Sequence, residues 1–200
     1  MVGLISLNYK IAPIELREKF YLDDAQKIVF HNLLKKKVGV EGLMLISTCN
    51  RTEIYFEFEN HIGKENKFIH SIVKELAEFR NFKDSLSPYL IKQTGSYNVS
   101  RHLFRLACGL ESMIIGEFQI VEQLKNAYYY ATRRKMLGPI LKRMIQKALD
   151  DKGKRLFADG DRATLRREIE AAVLQEIQLA MLDSGSDKEV AEVEKDLKSE

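Results

Sequence analysis

Residues 48–51 place a hydroxyl, a thiol, an amide and a guanidinium in consecutive positions, as Thr48, Cys49, Asn50 and Arg51. They lie within ISTCNRTEIYFEF, residues 46–58, where an apolar segment gives way to a polar corner and then to an alternating apolar–polar segment. A corner between strands is more accessible than a mid-strand position, and a neighbouring guanidinium lowers the pKa of a thiol. A thiolate in such a place is a nucleophile. The same residues also fit a plainer reading, a small buried cysteine at a strand end with Asn-Arg making the turn.

Elements able to hold this corner flank it on both sides. Residues 3–9, GLISLNY, alternate and predict a strand. Pro13 ends it, and 13–20 read as a polar connection or helical turn. Asp23 or Asp24 can cap a helix in which Ile28, Val29, Leu33 and Leu34 recur at helical spacing as far as Lys37. Gly39 and Gly42 bracket the turn into a strand over 43–47. After the corner, 53–59 predict a third strand with Ile54, Phe56 and Phe58 on one face. Phe68, Ile72, Val73, Leu76 and Phe79 share a face of a helix over 64–80, and 89–92 read as a short fourth strand. This β-α-β-β-α-β order predicts an α+β fold: a ferredoxin-like core over residues 1–95, with two helices on one face of an antiparallel sheet.

The rest of the chain is helical in pattern. Val99, Leu103, Leu106 and Leu110 are in register over 96–109. A long helix from Glu117 aligns Ile120, Leu124, Ala127, Tyr128 and Ala131, and after Gly138-Pro139 a further stripe runs from Ile140 to Ala148. Residues 96–149 therefore read as a helical extension. Residues 150–161 read as a linker, and 162–182 and 188–198 as an acidic helical hairpin, the second helix opened by a capping box from Ser186 to Glu189. That hairpin has an apolar stripe to bury, against the body or in a homodimer.

Composition narrows the function classes. Hydrophobic residues make 45% of the 200 and charged residues 30%, an ordinary globular balance. No apolar run nears the ~20 residues that span a bilayer, and the N-terminus lacks the pattern of a signal peptide, so a cytoplasmic chain with no membrane partner is expected. Two cysteines, Cys49 and Cys108, suggest neither a disulfide framework nor a zinc site, and the four histidines lack metal-ligand spacing. Residues 151–200 hold nine Lys/Arg against thirteen Asp/Glu, net −4, so the first 150 carry +7 of an overall +3. That basicity permits contact with a phosphate backbone.

Four blocks in order carry a resemblance. They are LNYKIAPIELREKF at 7–20, STCNRTE at 47–53, RHLFRLACGLESMIIGEFQIVEQLK at 101–125, and LGPILKRMIQKAL with GKRLF within 137–157. Together they resemble the glutamyl-tRNA reductases, the first enzymes of the C5 route to tetrapyrroles. The resemblance implies that Cys49 attacks the ester of glutamyl-tRNA to leave a thioester, which NADPH reduces to glutamate-1-semialdehyde. It implies substrate contacts from Thr48, Asn50, Arg51, Ser112, Glu117, Gln119 and Gln123, with Arg51 as a fork for the glutamate carboxylate and Glu117 for its α-ammonium. It also implies a role for His102, as acid/base or in positioning substrate. By residue type alone, His102 also fits a helix-surface histidine, Glu117 a helix N-terminal acid, Ser112 a cap, and Gln119 and Gln123 solvated positions.

Two departures are local: Tyr9 stands where the family usually has histidine, and Phe118 where it has proline. A third concerns the cofactor. No strand followed by GxGxxG appears after Phe157, so no NADPH-binding site is expected among these residues, and the chain is expected to perform the acyl-transfer half of the reaction. The competing expectation is a non-catalytic module that binds tRNA or a protein partner. Cys108 reads as core. Tyr128, Tyr129 and Tyr130 read as packing or interface aromatics, with base stacking the lesser reading because neighbours on a helix diverge.

Overall fold

The computed structural model describes residues 1–58, 63, 65–113 and 119–149. The expected linker and acidic hairpin of 150–200 lie outside these residues, as do Glu117 and Phe118. The described chain is an α+β fold. Its strands are β1 (Val2–Asn8), β2 (Gly42–Ser47), β3 (Arg51–Glu57) and β4 (Ile91–Thr94). Its α-helices are α1 (Ile14–Lys19), α2 (Asp24–Lys37), α3 (Glu65–Phe79), α4 (Ser96–Ala107), α5 (Gln119–Arg133) and α6 (Pro139–Leu149). The strands form one antiparallel sheet in the order β2-β3-β1-β4.

Local chemistry accounts for the element ends. Asp23 opens α2 with a capping box: Gln26 N donates to its carboxylate at 2.8 Å, and its own N–H donates to Gln26 Oε1 at 3.1 Å. Residues 13–20 close into the short helix α1, with Pro13 at the N-cap, where its missing N–H costs nothing. The strand after the corner starts at Arg51, two residues earlier than its apolar alternation suggests. Backbone pairing sets that start: Asn8 pairs with Arg51, Tyr9 N donates to Asn50 O at 3.0 Å, and Thr48 N donates to Arg51 O at 2.8 Å. A 3₁₀ turn over Ser87–Tyr89 displaces the fourth strand to Ile91.

One face of the sheet is apolar, as the alternation predicts. Phe56 and Phe58 stack with ring centroids 5.7 Å apart, and Phe58 stacks on Phe68 of α3 at 4.6 Å. Phe30 of α2 meets Phe79 of α3 at 5.3 Å. The Phe56 ring lies over Gly3, where an added Cβ would sit 2.3 Å from it.

The other face is covered as well, by the helical extension. Every residue of β1 and of β3 is buried, including Ser6, Asn8, Arg51, Glu53 and Glu57. Helices α4 and α6 close over this second face, and α5 packs along β2. One hydrophobic core runs from Val2 to Ala148 and takes in Leu103, Leu124, Leu141 and Ile145 of those helices.

Glu57 fixes α6. Its carboxylate accepts from Leu141 N at 3.0 Å and Ile140 N at 3.4 Å, so a negative charge meets the positive end of the helix. The chain reaches that point by crossing the β2 edge, where Leu43 N donates to Met136 O at 2.7 Å. The crossing is too close for a side chain, since a Cβ on Gly42 would lie 2.2 Å from Gly138 N. Gly42→Ala is therefore expected to destabilise the protein by about 2 kcal/mol, because backbone rather than a flexible side chain must yield. Thermal unfolding of the variant against the parent measures this, and an unchanged melting temperature would contradict it.

Candidate active site

Cys49 is exposed at the β2–β3 corner. Three contacts hold its turn: the Thr48–Arg51 backbone bond, the Tyr9–Asn50 backbone bond, and Asn50 N donating to Thr48 Oγ1 at 3.2 Å. Arg17 of α1 donates from Nε to the Cys49 carbonyl at 3.1 Å. Cys108 contrasts with Cys49. It is 3% exposed, and burial pushes its thiol up to about 11, so it stays protonated at neutral pH.

Beneath the corner, Glu53 gathers the polar groups of the covered face. Its carboxylate accepts from Arg51 Nη1 at 2.9 Å, Tyr55 Oη at 2.6 Å and Ser6 Oγ at 3.2 Å. His102 of α4 brings Nε2 to 3.2 Å and 3.3 Å from its two oxygens. Burial alone would raise the Glu53 pKa. The His102 charge and hydrogen bond, the Arg51 charge and the Tyr55 hydrogen bond outweigh burial and hold it at about 2. An ionised carboxylate only accepts, so Nε2 of His102 is the donor in this pair. Tyr55 shifts the opposite way, its hydroxyl pushed well above the usual range by burial and by the Glu53 charge.

A second carboxylate fastens the loop after α4. Glu111 accepts from Lys10 Nζ at 2.5 Å and Arg105 Nε at 2.6 Å, and its carbonyl accepts from Arg51 Nη2. Burial raises the Glu111 pKa, but the hydrogen bonds from Lys10 and Arg105 more than offset it and leave the pKa lowered. The adjoining Ser112 carbonyl accepts from the Tyr9 hydroxyl at 2.9 Å. The Ser112 hydroxyl is buried and has no partner among the described residues.

The predicted residues thus fall into groups. Thr48, Cys49 and Asn50 form the corner. Arg51, His102 and Ser112 are joined through Glu53 and the 109–113 loop. Arg51 is 3% exposed, and two of its five N–H groups are spent on Glu53 and the Glu111 carbonyl, so it is not an open fork. His102 turns Nε2 to Glu53 rather than to the thiol. Gln123 lines a groove of about 720 Å³ together with Thr48, while Gln119 is exposed at the start of α5. Of the three tyrosines, Tyr128 is buried, Tyr129 is 58% exposed, and Tyr130 donates to Asp24 O at 2.5 Å.

Sequence reasoning missed Glu53, Arg17 and Glu111. Glu53 looks like the solvent side of an alternating strand. Its one signal is that Arg51, Glu53 and Tyr55 share a face two residues apart.

The fold and site define an α+β domain that presents a thiol at a strand corner above a buried ion network. A family model described as "Glutamyl-tRNAGlu reductase, N-terminal domain" matches residues 5–156. The glutamyl-tRNA reductase of Bacillus subtilis is 37% identical over 160 residues, which is 79% of this chain and 34% of that protein. That of Aquifex aeolicus is 38% identical over 151 residues, 74% of this chain and 35% of that protein. The solved structure of glutamyl-tRNA reductase from Methanopyrus kandleri aligns with a TM-score of 0.58 and 30% identity, over 77% of this chain and 33% of that one. The chain belongs to the glutamyl-tRNA reductase family, through the family's N-terminal domain. It spans about a third of the length of these relatives. Among the described residues, no helix is long and apolar enough to cross a membrane.

The ion network gives a pH prediction. The Glu53 carboxyl is depressed on folding, so its contribution to stability is complete above about pH 4.5, falls with pH and is lost near pH 2. Glu53→Gln is expected to lower stability at pH 7 by about 3 kcal/mol and to flatten the acid limb across that window. Urea unfolding from pH 7 to pH 2 tests this, and equal acid limbs for the two proteins would contradict it.

Proposed function

We propose that this chain catalyses the acyl-transfer half of glutamyl-tRNA reduction, in tetrapyrrole biosynthesis. The Cys49 thiolate attacks the glutamyl ester carbonyl. The bond to the tRNA ribose oxygen breaks, that oxygen takes up a proton, and the glutamyl group stays on sulfur as a thioester. The observation that carries this reading is the exposed Cys49 on a turn braced from both neighbouring strands, in a chain of this family. Such a thiol is held in place before substrate arrives, which lowers the entropic cost of attack.

The surrounding residues take supporting roles. The Ser112 hydroxyl, without a partner among the described residues, is suited to the glutamate carboxylate, with Arg51 ordering the loop beneath it and Thr48, Asn50, Glu117, Gln119 and Gln123 completing the pocket. His102 positions Arg51 through Glu53. The strand order supports reading 1–95 as a ferredoxin-like catalytic core and 96–149 as the extension that completes the glutamate site. The acidic tail of 150–200 is proposed as a dimerisation element of a cytoplasmic protein.

Release of the aldehyde from the thioester requires a two-electron reductant, which the family takes from NADPH. The described residues do not fit a dinucleotide: their sheet is wholly antiparallel, whereas the dinucleotide cradle is a glycine-rich turn between parallel strands. The reductive step is therefore not assigned to them. In an assay without reductant the thioester hydrolyses, so deacylation of glutamyl-tRNA reports the acyl-transfer step.

A single-turnover reaction with labelled glutamyl-tRNA, acid-quenched and analysed by protein mass, tests the proposal. A glutamyl adduct on Cys49 is expected in the parent and none in Cys49→Ser, with deacylation reduced at least a hundredfold in that variant. Tight tRNA binding with no adduct in the parent would instead identify a binding module, a reading favoured by the engagement of both Arg51 and His102 with Glu53.

A further inference from the structure

Thr48, immediately before the nucleophilic corner, is also one wall of the groove between the β2 edge and α5. Its floor is Leu45, Ile46 and Ser47. Its other walls carry Lys27 of α2, Tyr129, Tyr130 and Arg133 from the end of α5, and Arg134 just after it. Asp24 is the one carboxylate in the lining, and it is paired with Lys27 at 2.9 Å. Arg133 and Arg134 are exposed. Two cations approach the Tyr130 ring, Lys27 Nζ at 5.7 Å and Arg134 Cζ at 5.2 Å from its centroid. The Tyr129 ring is largely uncovered.

We infer that this groove seats the single-stranded end of an RNA that carries its ester toward Cys49. This rests on the acyl-transfer reading and names where the leaving group binds. Arginines grouped beside an exposed aromatic ring match the alternation of phosphate and base in a single strand: charge tracks the backbone and the ring stacks a base. Thr48 places the end of such a strand beside the thiol. A polypeptide strand pairing with β2 fits less well, because the Leu43 N–H that it would use is already bonded to Met136 O.

The double variant Arg133→Glu/Arg134→Glu and the separate variant Tyr129→Ala test this in the full chain, since all three side chains are exposed and neither change opens the core. Binding of uncharged tRNA is measured across salt concentrations, and adduct formation on Cys49 is followed from glutamyl-tRNA and from a small aryl glutamyl ester. Expected is a loss of tRNA affinity of at least tenfold in the double variant, with the salt slope smaller by about 1.4, and at least threefold in Tyr129→Ala. Adduct formation from the small ester should be unchanged in both. Unchanged tRNA binding in both variants would overturn the inference, as would equal losses with tRNA and the small ester. If the parent forms no adduct but the variants still lose tRNA, the groove assignment stands and the acyl-transfer reading falls.

Discussion

A carboxylate buried at the centre of a sheet face constrains everything built above it. Glu53 has no exposed surface, and a buried charge costs several kcal/mol unless paired and hydrogen-bonded. Its partners come from separate parts of the chain: Ser6 from β1, Arg51 and Tyr55 from β3, His102 from α4. The pairing is complete only when α4 lies across the sheet, which joins the helical extension to the strands. Glu57, four residues on and on the same face, does the same for α6 through its first N–H groups.

This arrangement separates a rigid base from an accessible thiol. Arg51 and His102 spend hydrogen bonds below the corner, while Cys49 stays at the surface. The 109–113 loop is tied to the base at several points, through the Glu111 carboxylate, the Glu111 carbonyl and the Ser112 carbonyl. The Tyr9 hydroxyl supplies the last of these.

Much of the fold was legible because its signals are local. The Asp23 cap, the Pro13 break and the apolar stripe of α3 depend on neighbours within a turn or two, and the α+β element order follows from them. The corner was legible too, since consecutive Thr48, Cys49, Asn50 and Arg51 between two alternating segments have few structural alternatives. The roles of Arg51 and Glu53 were not legible. Alternation gives a strand two faces, but it does not reveal that a helix many residues later covers the polar one.

The sequence by itself therefore determined most of the described elements, the family blocks and the position of the Cys49 thiol at a strand corner, because periodicity, turn chemistry and motif order are properties of neighbouring residues. Only the tertiary structure decided which polar groups are solvated. Glu53 meets His102 forty-nine positions away, and Tyr130 of α5 meets Asp24 of α2 across one hundred and six. Ionisation, burial and the shape of the groove beside Thr48 depend on such distant neighbours, since electric fields and excluded water act through space rather than along the chain.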